Sequence, residues 1–124
     1  MFAKITRIDT RYSFNYNETI MFCVPKSKIP QALGERGSNL KRMSDILKKR
    51  IRILPIPRGD EDLESFIKMI VAPVEFKEIK FNGNEVILTA GIQSKAALLG
   101  RNKRRLIEMQ KIVKDFFGKE FKII

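Results

Sequence analysis

The sequence predicts an α+β protein of two tandem small domains, each a three-stranded sheet packed on helices. Three observations carry that expectation. The chain repeats itself at an offset of 66 residues. Each copy holds a glycine loop between two helical stretches. The hydrophobic pattern around those helices switches from a period near 3.6 to short apolar runs of strand type.

The repeat is an ordered set of matches. Leu33-Gly34 falls on Leu99-Gly100, Leu40 on Leu106, Met43 on Met109, Ile46 on Ile112 and Leu47 on Val113. Upstream, Ile20-Met21-Phe22 falls on Val86-Ile87-Leu88. Strand, short helix, glycine loop and longer helix therefore recur in the same order. A chain of 124 residues holds one ordinary domain or two very small ones.

In the first half, residues 3–9 and 18–24 read as strands. Tyr12, Phe14 and Tyr16 alternate, which places them on one face of an extended segment. There they either stack bases or pack on a sheet or on the other domain. Ser27 is positioned to cap a short helix ending at Leu33, with Pro30 in its first turn, where the missing N–H costs little. Gly34-Glu35-Arg36-Gly37 breaks that helix. A second helix follows, with Leu40, Met43 and Leu47 at i, i+3, i+7 on one face. Ile51-Arg52-Ile53 is a short strand ended by Pro55 and Pro57. Pro57-Arg58-Gly59 is linker-like, and the boundary falls there, giving domains of residues 1–57 and 58–124.

The second half opens on a helix from Asp60, as its cap, to about Ala72. The acidic residues Glu61, Asp62 and Glu64 complement the dipole of that helix, which explains them better than a divalent-ion site. Leu63, Phe66, Ile67 and Ile70 form its buried stripe, and Pro73 stops it. Residues 74–81 and 85–90 read as a hairpin turning at Asn82-Gly83-Asn84. The second helix pair follows, and Phe121 and Ile123 mark a last strand. The order is helix, strand, strand, helix, helix, strand. The first half is expected to lack the leading helix.

Composition narrows the function. The 25 Lys and Arg against 14 Asp and Glu give a net charge of +11. A small protein that basic meets a polyanion. With no His, there is no Ser-His or Cys-His pair and no imidazole metal site. The lone Cys23 allows no disulfide and no thiolate zinc site, fits a reducing cytoplasm, and reads as a small buried hydrophobe. No apolar run reaches the ~20 residues of a membrane span, and no helix combines a basic with an apolar membrane-binding face. The expectation is a cytoplasmic monomer, not an enzyme, with no cofactor and no metal.

The charge is also partitioned. Residues 25–52 carry nine Lys and Arg against Glu35 and Asp45, and residues 93–122 carry nine against Glu108, Asp115 and Glu120. The cations therefore sit on the helix-loop-helix units, while the intervening helix is acidic. A loop that lays its backbone against a sugar-phosphate chain needs glycine for close approach, and a helix start offers N–H groups to phosphate.

The element order, with Gly34-Glu35-Arg36-Gly37-Ser38-Asn39-Leu40 after Val24-Pro25-Lys26, resembles the K-homology (KH) domain of the bacterial type, type II. Two such halves, joined through the acidic helix and Ala72-Pro73, resemble the short archaeal NusA-like proteins of the transcription apparatus. The resemblance covers nearly the whole chain. It implies binding of single-stranded RNA, the nascent transcript, in control of transcription elongation, termination or antitermination. It also implies contact with RNA polymerase. KH loops clamp about four nucleotides. The residues it assigns to RNA are Lys26, Lys28, Ile29, Leu33, Gly34, Glu35, Arg36, Gly37, Ser38, Asn39, Leu40 and Lys41. In the second copy they are Gly100, Arg101, Asn102, Lys103 and Arg104. Ile29, Leu33, Leu40 and Ile53 would wall the first groove. The second loop departs from the pattern, with Lys103 where the family has its closing glycine. The competing reading is a basic protein that coats nucleic acid or associates with the ribosome without sequence preference.

Overall fold

The computed structural model describes residues 2–6 and 12–124. The chain divides into two compact units, Met1–Ile56 and Pro57–Ile124.

In the first unit the elements are α1 (Phe2–Thr6), β1 (Ser13–Tyr16), β2 (Thr19–Val24), α2 (Ile29–Leu33), α3 (Ser38–Leu47) and β3 (Arg50–Pro55). The second has α4 (Leu63–Val71), β4 (Glu78–Asn82), β5 (Glu85–Thr89), α5 (Ile92–Leu99), α6 (Arg104–Phe117) and β6 (Glu120–Ile123). Both units thus run helix, strand, strand, helix, helix, strand. Each sheet is three-stranded with the middle strand of the chain order in its centre. β2 pairs antiparallel with β1 and parallel with β3; β5 pairs antiparallel with β4 and parallel with β6. A parallel pair needs a long crossover. The two-helix segment with its glycine loop is that crossover in each unit. The sequence offset of 66 holds through the loops, but α6 has 14 residues against 10 in α3, about one extra turn.

The first core gathers Phe2, Val24, Ala32, Met43 and Ile51, with Ile29, Leu40 and Ile53 packed half-buried on its edge. In the second unit the expected stripe Leu63, Phe66, Ile67 and Ile70 is buried, and Val86, Leu88, Met109 and Val113 are buried too. Each such side chain contributes roughly 1.5–3 kcal/mol by leaving water.

Five expectations need correction. Residues 2–6 form a helix and not a strand, so the first unit does have a leading helix. Residues 7–9 of the expected strand lie outside the described residues. Phe2 stacks on Phe22 at 4.4 Å between ring centroids. Gln31 Nε2 donates to the last carbonyl of α1, that of Thr6, at 3.1 Å. Both contacts come from residues distant in sequence, and they override the local alternation.

Ser27 is not a helix cap. It lies inside a 3-10 turn, Lys26–Lys28, closed by the Lys28 N–H on the Pro25 carbonyl at 2.8 Å. Nor does Asp60 cap α4. Asp60–Asp62 is another 3-10 turn, and Asp62 holds the N-cap position. The Asp62 carboxylate is already occupied, accepting from the Arg58 N–H at 2.9 Å and from the Arg58 guanidinium at 3.0 and 3.1 Å. The hairpin's first strand begins at Glu78, well after Val74, because its partner β5 ends at Thr89, which pairs with Glu78. Beyond it only the Lys77 N–H reaches Thr89, at 2.8 Å.

Candidate nucleic-acid interface

The glycine loops are built the same way. α2 ends where the Gly34 N–H donates to Pro30 at 3.0 Å; α5 ends where the Gly100 N–H donates to Ala96 at 2.9 Å. Gly34 has φ 77 and ψ 172, and Gly100 has φ 76 and ψ 170. That region is essentially closed to any residue with a Cβ. The chain then turns through Arg36 (φ 55, ψ 30) or Asn102 (φ 55, ψ 29). Gly37 (φ 72, ψ 22) and Lys103 (φ 60, ψ 26) complete the turn in the left-handed region. The Gly37 N–H donates to Gly34 at 3.1 Å, and the Lys103 N–H donates to Gly100 at 3.1 Å. α3 and α6 start at once.

The two glycines of the first loop do different jobs. A Cβ on Gly34 would lie 2.8 Å from Asn39 Cγ and Ser38 Oγ and 2.9 Å from the Asn39 backbone nitrogen. At Gly37 a Cβ would meet nothing within 4 Å. This is why the second loop can carry Lys103 at the fourth position. Its Cβ projects into open space, and only the left-handed backbone opposes it, by roughly 1 kcal/mol. The first position tolerates no such exchange. A Cβ on Gly100 would collide with the Arg105 Cγ and lie 2.8 Å from the Arg105 backbone nitrogen.

Neither α3 nor α6 has a side-chain hydrogen bond at its N-cap or an acidic residue in its first turn. The first turn of each helix therefore supplies no carboxylate to offset the positive end of its dipole. Residues 25–52 carry a net +7 and residues 93–122 a net +6. Lys26, Lys28, Glu35, Arg36, Ser38 and Lys41 are exposed in the first unit, as are Arg101, Asn102, Lys103 and Arg104 in the second. Ile29, Leu33 and Leu40 are half-buried, as is Ile53 on β3.

Asn39 is held by the fold. Its Nδ2 donates to the Gln31 carbonyl at 3.1 Å, tying the start of α3 back to α2 across the loop. Gln31, which the sequence reading passed over, links α1, α2 and α3 through this contact and its own bond to Thr6. Nothing in the motif marks Gln31, since Ala97 stands at the matching place in the second copy. Arg105, the counterpart of Asn39, is likewise committed. Its Nη1 donates to Glu108 Oε1 at 2.6 Å, with the side chains only 12% and 20% exposed. Arg105 thus belongs to the packing of α6 rather than to an open basic surface. Tyr16 is buried and Phe14 half-buried on the first sheet, which leaves Tyr12, 48% exposed, as the outermost of the aromatic trio.

Among the described residues no group of His, Cys, Asp and Glu could hold a metal ion, and no helix is long and apolar enough to cross a membrane. Cys23 is fully buried, and burial pushes its thiol up to about 12 from an ordinary 9.0.

The structure thus defines a class: an α+β chain of two small helix-and-sheet units, each presenting a glycine-anchored loop at a helix start within a basic segment. No family model matches the chain. Over 90 residues it is 33% identical to a probable transcription termination protein NusA of Methanococcus vannielii, covering 71% of this chain and 50% of that protein. The chain therefore spans about half the length of that relative. Among solved structures, APE1850 matches with a TM-score of 0.63 at 20% identity, over 99% of this chain and 91% of that one. At that identity the likeness bears on the fold alone.

Proposed function

We propose that this chain is a single-stranded RNA-binding module of the transcription apparatus, with each unit acting as a KH domain of the type II order. The observation that carries the reading is the loop. Two stretches of different sequence adopt nearly the same backbone at every turn residue with positive φ, the widest gap being φ 72 at Gly37 against φ 60 at Lys103. Both stretches head a helix whose first turn lacks acid. A plain helix-to-helix turn does not require that duplication. On this reading Gly34 lets the backbone approach a sugar-phosphate chain, the N–H groups and Arg36 meet phosphate, and bases lie against Ile29, Leu33, Leu40 and Ile53. The relative's printed role in termination supports elongation or termination control, with nascent RNA and RNA polymerase as partners. The chain then works by binding, without a catalytic residue, a cofactor or a membrane.

The test is a titration of a labelled single-stranded RNA of about 12 nucleotides, long enough for two four-nucleotide sites and slack. A duplex DNA of matched length is titrated beside it, with wild type and Arg36→Asp compared. Aspartate accepts the left-handed backbone that position 36 needs, so the fold is kept. Preference for RNA that the variant loses supports the proposal. Equal binding of both nucleic acids, unchanged in the variant, would sink it in favour of a coating protein that works by charge alone.

A further inference from the structure

We infer that the two units contribute different things to RNA binding: the first selects bases, while the second holds the backbone by charge, without sequence preference. This rests on the RNA-binding reading above and goes further by dividing the work between the loops.

The loops share their backbone but not their chemistry. Between its two glycines the first loop carries Glu35 and Arg36, which cancel. The second carries Arg101, Asn102 and Lys103, two cations and no acid. All of these except the glycines are exposed. Gly37 leaves open space where its Cβ would be, which lets a ligand's backbone come close. Lys103 fills that same space with a side chain and gives a cation in exchange for closeness.

The groove positions differ in the same sense. Counting back from the loop glycine, Ala32 matches Leu98, and both are buried. On that register Ile29 matches Lys95. Ile29 is half-buried against the first core, whereas Lys95 is exposed. Leu40 and Ile53 have apolar counterparts in Leu106 and Ile123, all four half-buried. One wall position in the second unit is therefore a mobile ammonium where the first has a fixed apolar surface. Shape-selective contact with a base face needs the fixed surface; a flexible cation attracts any phosphate.

Lys103→Gly tests this with opposite expectations. It restores the glycine pattern and relieves a left-handed lysine, so it does not threaten folding. If closeness governs the second loop, the variant binds RNA more tightly. On the present inference it binds oligo-A, oligo-C and oligo-U more weakly by one common factor. That factor is about two- to fivefold, the scale of a single exposed charge contact. The slope of log affinity against log salt becomes shallower by about 0.7. The reverse exchange, Gly37→Lys, should compress the differences among the three RNAs. Tighter or unchanged binding by Lys103→Gly, or a change in the ranking of the RNAs, would overturn the division of labour while leaving RNA binding intact. A wild-type protein that binds the RNAs no better than duplex DNA would instead overturn the underlying reading, and this inference with it.

Discussion

Gly34 and Gly37 look interchangeable in the motif, yet the structure predicts very different costs for replacing them with alanine. At Gly34 the backbone (φ 77, ψ 172) is one that residues with a Cβ essentially never adopt. That strain costs about 1–3 kcal/mol. The new Cβ would also press on Asn39. Its side chain can turn aside, but its backbone nitrogen, 2.9 Å away, moves only if α3 moves. Overpacking of that kind adds about 1–3 kcal/mol, so the total is roughly 2–6 kcal/mol. At Gly37 the Cβ meets nothing, and the left-handed backbone alone costs about 1 kcal/mol. A unit of this size has only about 3–5 kcal/mol to lose. Gly37→Ala should then lower its melting temperature by about 4–8 °C. Gly34→Ala should lower it at least twice as far or leave the unit unfolded. The chain supplies its own probe, since it has no Trp and its two tyrosines, Tyr12 and Tyr16, both lie in the first unit. Tyrosine fluorescence during a thermal melt therefore reports that unit by itself. Equal losses for the two variants, or a larger loss for Gly37→Ala, would refute the steric argument.

Two further outcomes follow from buried groups. Cys23 should resist a thiol reagent at pH 8 in the folded protein and react on unfolding, because burial disfavours its thiolate. Its raised value also sets a pH dependence: the thiol's contribution to stability is complete below about 9 and is lost as pH rises toward about 12. Prompt labelling of the folded protein would contradict the burial. Glu108→Ala should destabilise the second unit by about 1–3 kcal/mol in urea titration followed by circular dichroism, because it leaves the largely buried Arg105 guanidinium without this partner. A neutral result would mean that water reaches Arg105 freely.

The element order of the second unit, the buried stripe of α4 and the similarity of the two loops follow from local pattern. A period of 3.6, a glycine at a fixed offset and a β-branched run are properties of neighbouring residues. That is why Leu63, Phe66, Ile67 and Ile70 could be placed in a core from sequence. The sequence also shows that Lys103 breaks the repeat. Its consequence was not legible, because whether a Cβ fits at the fourth position depends on what lies 4 Å away in space. The same holds for capping. Ser27 and Asp60 are good caps by type, but a 3-10 turn enclosed the first. At the second, the N-cap position itself went to Asp62, whose carboxylate Arg58 had claimed.

The sequence by itself determined the order of helices and strands in the second unit, where the charge lies and where the glycine loops fall, since each depends on residues close in the chain. Tertiary structure alone decided that Phe2–Thr6 is a helix. Five residues cannot sustain one unaided, because the first turn fixes several residues for a single hydrogen bond. Stacking on Phe22 and the Gln31 contact at its last carbonyl make up the deficit, and both partners are brought there by the fold.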